Sequence, residues 1–329
     1  MKQWILAWLV VMMGVLAGCG GAATVSPAGE APTGAEPLQV VATTSIVGDV
    51  VRQVAGDTVA LIVLMPPGTD VHGYEGTPQD AAVLTNADLV FVNGFALEEG
   101  LMPMIENNAV NAVIVEVSDG IAVIESAQDH AHEGEDHADE GEDHAHEGED
   151  HVHEGADPHT WWDVANVMVW VENIRDALNA ADPANAVTYT ANAAAYMAEL
   201  QELDAWVTAE VAKVPEGRRL LVTDHMAMGY FAERHGFTMV GAVVPSVSSL
   251  AQPSAQELAE LEDAIRAIGA PAIFIGETVN ESLAARVAED TGTKLVQIFV
   301  GSLTPEDGPA NSYVAFIRHN VTAIVTALQ

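Results

Sequence analysis

Histidine is concentrated in one internal segment of this 329-residue chain. Four near-copies of one heptapeptide follow each other there: DHAHEGE (129–135), DHADEGE (136–142), DHAHEGE (143–149) and DHVHEGA (150–156). The seven imidazoles of this histidine tract are His130, His132, His137, His144, His146, His151 and His153. The segment offers no side chain able to build a core, so it cannot fold by burial. Histidine-dense tracts of this composition are typical of metal binding.

Five histidines lie outside the tract, and three of them share a placement. His72, in PPGTDVH, and His225, in TDH, follow predicted strands, whereas His159, in DPH, comes where the repeats stop. Any one of them alone would be expected to be a helix cap or a satisfied polar group. Together they suit a metal site in a cleft, because three imidazoles hold zinc and leave one tetrahedral position open. His235 and His319 lie late in helical patterns and are expected to serve structure.

Short apolar runs alternate with helical patterns in both halves of the chain, which predicts an α/β fold with mostly parallel sheets. We expect an N-terminal lobe over 38–183, which includes a disordered loop at 125–157, and a C-terminal lobe over 215–329. Between them, 184–214 contains neither Gly nor Pro and predicts one long linking helix. Ligands of open α/β sheets bind beyond the carboxyl ends of the strands, and here also between the lobes.

The N-terminus predicts export. Lys2 precedes the apolar segment Trp4–Val15, and Leu16-Ala17-Gly18-Cys19 then resembles a bacterial lipobox. We expect residues 1–19 to be a lipoprotein signal peptide, with Cys19 lipidated, and 20–37 to be a flexible tether. The alternative is an ordinary secretory signal with an incidental cysteine. The expected location is the outer face of the cytoplasmic membrane, in the periplasm or at the cell surface.

The net charge of the chain indicates which classes of ligand the protein can attract. Forty-eight acidic residues against 11 basic ones give a formal charge of −37, which argues against nucleic acid and anionic membrane surfaces as ligands. Cationic ligands suit this balance, although acidic surfaces also serve solubility. We expect a monomer.

Several motifs, in order, make the chain similar to the solute-binding lipoproteins of ABC transporters that capture zinc or manganese. The motifs are VATTS (41–45), PGTDVH (67–72), DPHTW (157–161), His225 with YFA (230–232), IGE (275–277) and SY (312–313). A histidine-rich acidic loop before the second ligand is typical of the zinc-type members. The resemblance covers nearly all of 38–329 and implies two lobes joined by a long helix. It also implies delivery of the metal to a membrane permease with its ATPase.

The resemblance implies that His72, His159 and His225 are metal ligands. The family's usual fourth ligand, a carboxylate, falls at Gly301, which has no side chain to coordinate with. Glu277 is a candidate fourth ligand, or a residue that orients a ligand or caps a helix; water, Glu306, Asp307 or the tract are the other candidates. Three imidazoles without the usual carboxylate favour Zn(II) as cargo, and Mn(II) is the alternative because it prefers oxygen ligands.

Two other functions remain open from the sequence. A surface metal buffer or adhesion protein would use the histidine tract as its main site. A zinc hydrolase would also hold its metal with three histidines and an open position. However, His137 follows His132 by five residues, not by four as in the H-E-x-x-H helix of metalloproteases. We therefore predict a binding protein and not an enzyme.

Overall fold

The computed structural model describes residues 36–125, 156–276 and 281–329. Residues 37–329 belong to one compact unit. Cys19 and the seven histidines of the tract lie outside the described residues, as does Glu277. The two ends of the predicted loop at 125–157 are nevertheless fixed, because Glu125 and Ala156 pair as an antiparallel bridge and Asp157 is buried.

The first sheet has four parallel strands in the order β2-β1-β3-β4. Its strands are β1 (Leu38–Ala42), β2 (Val59–Val63), β3 (Leu89–Val92) and β4 (Val113–Glu116). The helices among them are α1 (Ser45–Ala55), α2 (Pro78–Thr85) and α3 (Met102–Asn108). The α2 helix begins at a capping box, in which Thr77 and Asp80 satisfy each other's backbone N–H groups. Strand β3 is buried along its length, as expected for a parallel strand covered on both faces.

Two helices follow the first sheet: α4 (Val164–Ala181) and α5 (Ala186–Val211). At 26 residues, α5 is shorter than the predicted 184–214 and about 39 Å long. Apolar or small residues spaced by three and four predict one buried face for this helix. The structure buries that face: Tyr189, Ala193, Tyr196, Leu200, Leu203, Val207 and Val211. Because α5 packs against α1, α4 and α9 (Tyr313–Leu328), its residues join elements from both halves of the chain.

The second sheet repeats the arrangement of the first, with parallel strands in the order β6-β5-β7-β8. Its strands are β5 (Leu220–His225), β6 (Thr238–Val244), β7 (Ala272–Ile275) and β8 (Lys294–Gln297). The helices that accompany them are α6 (Gly229–His235), α7 (Ala255–Ile268), α8 (Glu281–Thr291) and the closing α9. The apolar run Leu295–Val300 predicts one strand over its whole length. That prediction is wrong in its second half, because the chain leaves the sheet after Gln297.

The two parallel-sheet α/β lobes confirm the predicted fold class. One continuous apolar core runs from the first sheet through α4, α5 and α9 into the second, and a smaller cluster lies around α7 and α8. The division of this unit at 183 and 214 stays a prediction. Among the helices that the structure describes, none is long and apolar enough to cross a membrane.

Candidate metal centre

His72 lies in the loop that follows β2 and is partly exposed. The base of this loop is held by backbone hydrogen bonds, from Met65 N to Thr43 O at 2.8 Å and from Gly68 N to Leu303 O at 3.1 Å. Gly68 has a φ of 84°, in the left-handed region that favours glycine. The Asp70 carboxylate accepts the backbone N–H of His72 at 3.1 Å. The loop thus brings His72 from the first lobe to the boundary with the second.

His159 is fully buried, in a short segment whose backbone is fixed on both sides. The Asn93 side chain donates to the Pro158 carbonyl at 2.9 Å, and Asp157 N donates to Ile124 O at 2.8 Å. The Asp157 carboxylate accepts from both the backbone N–H of His159, at 3.0 Å, and its ring Nδ1, at 2.7 Å. This pair of bonds sets the position and the tautomer of the ring.

His225 is the last residue of β5 and is buried as well. One oxygen of Asp224 accepts from the backbone N–H of His225, at 2.7 Å, and from its Nδ1, at 2.9 Å. The other oxygen accepts from Gly276 N at 2.7 Å. Burial alone would raise the pKa of Asp224, but His225 and these hydrogen bonds hold that pKa below its ordinary value. Asp224 is therefore an ionised acceptor at neutral pH, and the Nε2 of His225 faces the cleft.

The structure brings the three predicted histidines together. Their facing Nε2 atoms lie 3.1 Å apart for His72 and His159, and 3.4 Å apart for His225 and His159. Two nitrogens on a tetrahedral zinc ion, each at about 2.0–2.1 Å, are separated by about 3.3 Å. Within the described ranges, these three residues are the one group of three or more His, Cys, Asp or Glu residues placed to share a metal ion.

We call His72, His159 and His225 the histidine triad. Its electrostatics favour a cation between the three rings. Asp157 and Asp224 hold the protons of His159 and His225 on Nδ1, so each Nε2 presents a lone pair to the other. Burial lowers the pKa of His159, against the opposing effect of Asp157. Burial and the two neighbouring imidazoles lower the pKa of His72 to about 2. Neutral rings with converging lone pairs are the form in which histidine binds a metal.

The space between the rings suits an ion and nothing larger. The cavity measures about 10 Å³ and is lined by Thr69, Asp70, Val71, the three histidines, Gly301 and Ser302. That volume is close to the minimum for one water molecule. A larger cavity, of about 790 Å³, lies along α9 and β8, away from the triad. The small cavity is the candidate metal site because the ring nitrogens of the three histidines converge there.

Gly301 lines this cavity, where the resemblance predicts the fourth ligand. Glycine has no side chain, so position 301 contributes no side-chain ligand atom. A Cβ there would lie 3.3 Å from Val71 Cγ2 and 4.0 Å from Trp161 Cζ2. Glu306 and Asp307 are exposed and do not belong to the metal-binding group. Glu277 lies outside the described residues, and its role stays a prediction.

The sequence reasoning missed the aspartates behind the histidines, although a signal for them is present. Each histidine of the triad follows an aspartate by one or two positions: Asp70, Asp157 and Asp224. The other two histidines lie as expected, apart from the triad. His235 packs on Phe231, and His319 packs on Phe299, each with ring centroids 4.9 Å apart.

Two α/β lobes with a small, imidazole-lined site at their boundary define a solute-binding protein of the kind that takes up metal ions. The chain belongs to the family described as ZnuA, zinc-uptake complex component A, periplasmic, which it matches over residues 40–327. The components of this family bind the solute for an ABC transporter, and the relatives described below are named as binding proteins, not as enzymes.

The similar proteins are named for three different metals. The manganese-binding lipoprotein MntA of Halalkalibacterium halodurans is 32% identical over 330 residues, covering 100% of this chain and 99% of the relative. The iron ABC transporter substrate-binding lipoprotein MtsA of Streptococcus pyogenes is 29% identical and covers 89% of each chain. The solved periplasmic zinc-binding protein TroA of Treponema pallidum superposes with a TM-score of 0.77 at 28% identity, covering 89% of this chain and 99% of that one. Membership of the family therefore establishes a metal-binding transport component and leaves the metal open.

Proposed function

We propose that this protein captures Zn(II) outside the cytoplasm and delivers it to an ABC permease driven by its ATPase. The observation that carries the proposal is the pair of Nε2 atoms of His159 and His225. Two aspartates fix them with their lone pairs face to face at 3.4 Å. Two lone pairs at this distance repel each other unless a cation lies between them.

Zinc fits the donor set better than manganese does. The three proposed ligand atoms are imidazole nitrogens, and Gly301 replaces the carboxylate that would supply an oxygen. Nitrogen donors and a tetrahedral geometry suit zinc, whereas manganese prefers carboxylates and water in an octahedral arrangement. Manganese is the second candidate, because the relative MntA, which covers the whole chain, is named for that metal.

Capture rather than catalysis is supported by the size and burial of the site. His159 and His225 are buried, and the cavity of about 10 Å³ leaves no room for an organic substrate beside a metal ion. A hydrolase would need an open position that a substrate can reach. Binding and release of the ion itself need no such space.

The N-terminus and the histidine tract complete the proposal. Lipidation at Cys19 would tether the protein to the outer face of the membrane, and two of the similar proteins are named as lipoproteins. The tract would collect zinc at many weak sites and raise its concentration next to His159. A surface buffer is the competing function, and in it the tract would be the principal site.

The test separates the cleft from the tract. Residues 126–155 are replaced by a Gly-Ser-Gly linker, which retains Glu125 and Ala156, the bridged residues at the base of the tract. The bound metal is then measured by mass spectrometry after purification, and zinc and manganese are titrated in competition. We expect one tight zinc site per molecule, which is lost in His225→Ala. Loss of all tight binding with the tract would favour the buffer, and a preference for manganese would overturn the zinc assignment.

A further inference from the structure

The three histidines of the triad are not held in the same way. Asp157 and Asp224 each accept the Nδ1 proton of their histidine. Asp70 precedes His72 by two positions, as Asp157 precedes His159, and it too accepts the backbone N–H of its histidine. Among the hydrogen bonds of the described residues, however, none reaches Nδ1 of His72. The first ligand is thus the least constrained of the three.

The second oxygen of Asp70 is used across the lobe boundary instead. Ser249 Oγ donates to Asp70 Oδ2 at 2.8 Å. Ser249 belongs to the segment 245–251, which we call the strap. The strap follows β6 at Val244, which pairs with His225 in the sheet. It therefore extends from beside one ligand to the aspartate that supports another.

The hydroxyl groups of the neighbouring Ser246 and Ser248 bond within the strap. Ser246 Oγ accepts from Ser248 N at 3.1 Å, and Ser248 Oγ accepts from Leu250 N at 3.3 Å. Leu250 lies close to the first lobe, because a Cβ on Gly73 would be 3.4 Å from its Cδ2. Of the three serine hydroxyls, Ser249 is thus the one that links the strap to the loop of His72.

The base of the loop has separate support. Gly68 N donates both to Leu303 O, at 3.1 Å, and to Ser302 Oγ, at 2.8 Å. Losing the Ser249 hydroxyl would therefore release the tip of the loop at Asp70 while its base stays attached. His72 is also the partly exposed member of the triad, so solvent reaches the site from its side.

We propose that Ser249 is a positioning residue that holds Asp70, and through it His72, and so sets the rate at which a bound metal ion leaves the site. This inference rests on the proposed metal-binding function. When the hydrogen bond to Asp70 is made, His72 stays in ligand position and the ion is held by three imidazoles. When it breaks, His72 can swing outward with the tip of the loop, and the ion is left on His159 and His225 alone.

The experiment compares the rates of zinc release from several variants. The parent protein in this comparison is the one in which the Gly-Ser-Gly linker replaces residues 126–155. The protein is loaded with one equivalent of zinc and mixed in a stopped-flow instrument with an excess of a chromogenic chelator. A hydrogen bond to a charged group is lost in Ser249→Ala, so we expect release to be about tenfold faster with an unchanged association rate. Ser249→Thr retains the hydroxyl and should restore slow release. Ser248→Ala is the matched control in the same strap and should release zinc like the parent.

The outcomes separate the inference from the function on which it rests. Unchanged release in Ser249→Ala, or equally fast release in Ser248→Ala, would overturn the role of Ser249 while the parent still binds zinc. A parent protein that binds no metal tightly would overturn the proposed function, and this inference with it. If Ser249→Thr released zinc as fast as Ser249→Ala, the hydroxyl would not be the group that slows release.

Discussion

Replacing Asp224 with asparagine tests whether the aspartates behind the histidines determine metal affinity. The carboxylate is buried and accepts three N–H groups: His225 N and Nδ1 on one oxygen, and Gly276 N on the other. Asparagine has almost the same shape but only one acceptor oxygen. Its amide group must face either Gly276 N or the two donors of His225. At least one buried donor therefore loses its partner.

The expected magnitude follows from the contact that is lost. Removal of a carboxylate that orients a metal-binding histidine typically lowers metal affinity by about 10- to 100-fold. That loss corresponds to about 1.4–2.7 kcal/mol of binding free energy. The unpaired donor adds a separate cost of about 1–3 kcal/mol to the folding of the metal-free protein. We therefore expect Asp224→Asn to be both less stable and weaker in zinc binding.

Two measurements keep these effects apart. Urea unfolding of the metal-free protein gives the change in stability, and competition with a zinc chelator gives the change in affinity. Asp163→Asn is the matched control, because Asp163 caps α4 through Ala165 N at 2.8 Å. Asparagine is an equally good helix cap, so this variant should bind zinc like the parent. Unchanged affinity in Asp224→Asn, or an equal loss in Asp163→Asn, would refute the reasoning.

Two further predictions follow from the site and from one buried histidine. Gly301→Asp should add an oxygen ligand and raise the affinity for manganese relative to zinc by about tenfold. Gly301→Asn is the control. An equal gain in relative manganese affinity in Gly301→Asn would contradict the role of the charge. Burial lowers the pKa of His235 to about 4 in the native state. In the unfolded chain the pKa of this histidine is about 6.5, so between these two pH values the unfolded chain binds a proton that the native state does not. As the pH is lowered from 7.5 to 5, the free energy of unfolding of the parent should therefore fall by about 2 kcal/mol relative to that of His235→Gln. Urea unfolding measures both free energies. A difference that does not change with pH would show that His235 titrates normally in the native state.

The three histidines of the candidate metal site could be predicted from the sequence because local signals place them. The run Leu220–Thr223 predicts a buried parallel strand, and His225 comes at its carboxyl end, where ligands of such sheets bind. His72 lies further along the chain, in the loop that leaves the carboxyl end of β2. A strand end is a local property, and so is an aspartate one or two positions before its histidine.

The groups that donate hydrogen bonds to these aspartates from other elements are distant in sequence and had no such signal. Gly276 donates to Asp224 from 52 positions away, and Ser249 donates to Asp70 from 179 positions away. The wrong end of the predicted strand 295–300 has a related cause. Beyond Gln297, Phe299 N donates to Asn320 Oδ1, and Val300 O accepts from Trp161 Nε1. Val300 is buried and Phe299 is partly buried, but both pack between elements rather than in a sheet. An apolar run alone cannot distinguish the two arrangements.

The two buried aspartates also explain how a site without carboxylate ligands could hold a dication. Three neutral imidazoles leave the double charge of a bound ion uncompensated, and an uncompensated charge in a buried site is costly. Asp157 and Asp224 lie one imidazole away, each hydrogen-bonded to the ring whose other nitrogen faces the cavity. Two negative charges thus balance the ion from behind its ligands, while the ligand atoms themselves remain nitrogen. The proposed zinc selectivity then requires that these aspartates stay outside the coordination sphere. Gly301, which offers no carboxylate at the position expected for the fourth ligand, would serve the same end.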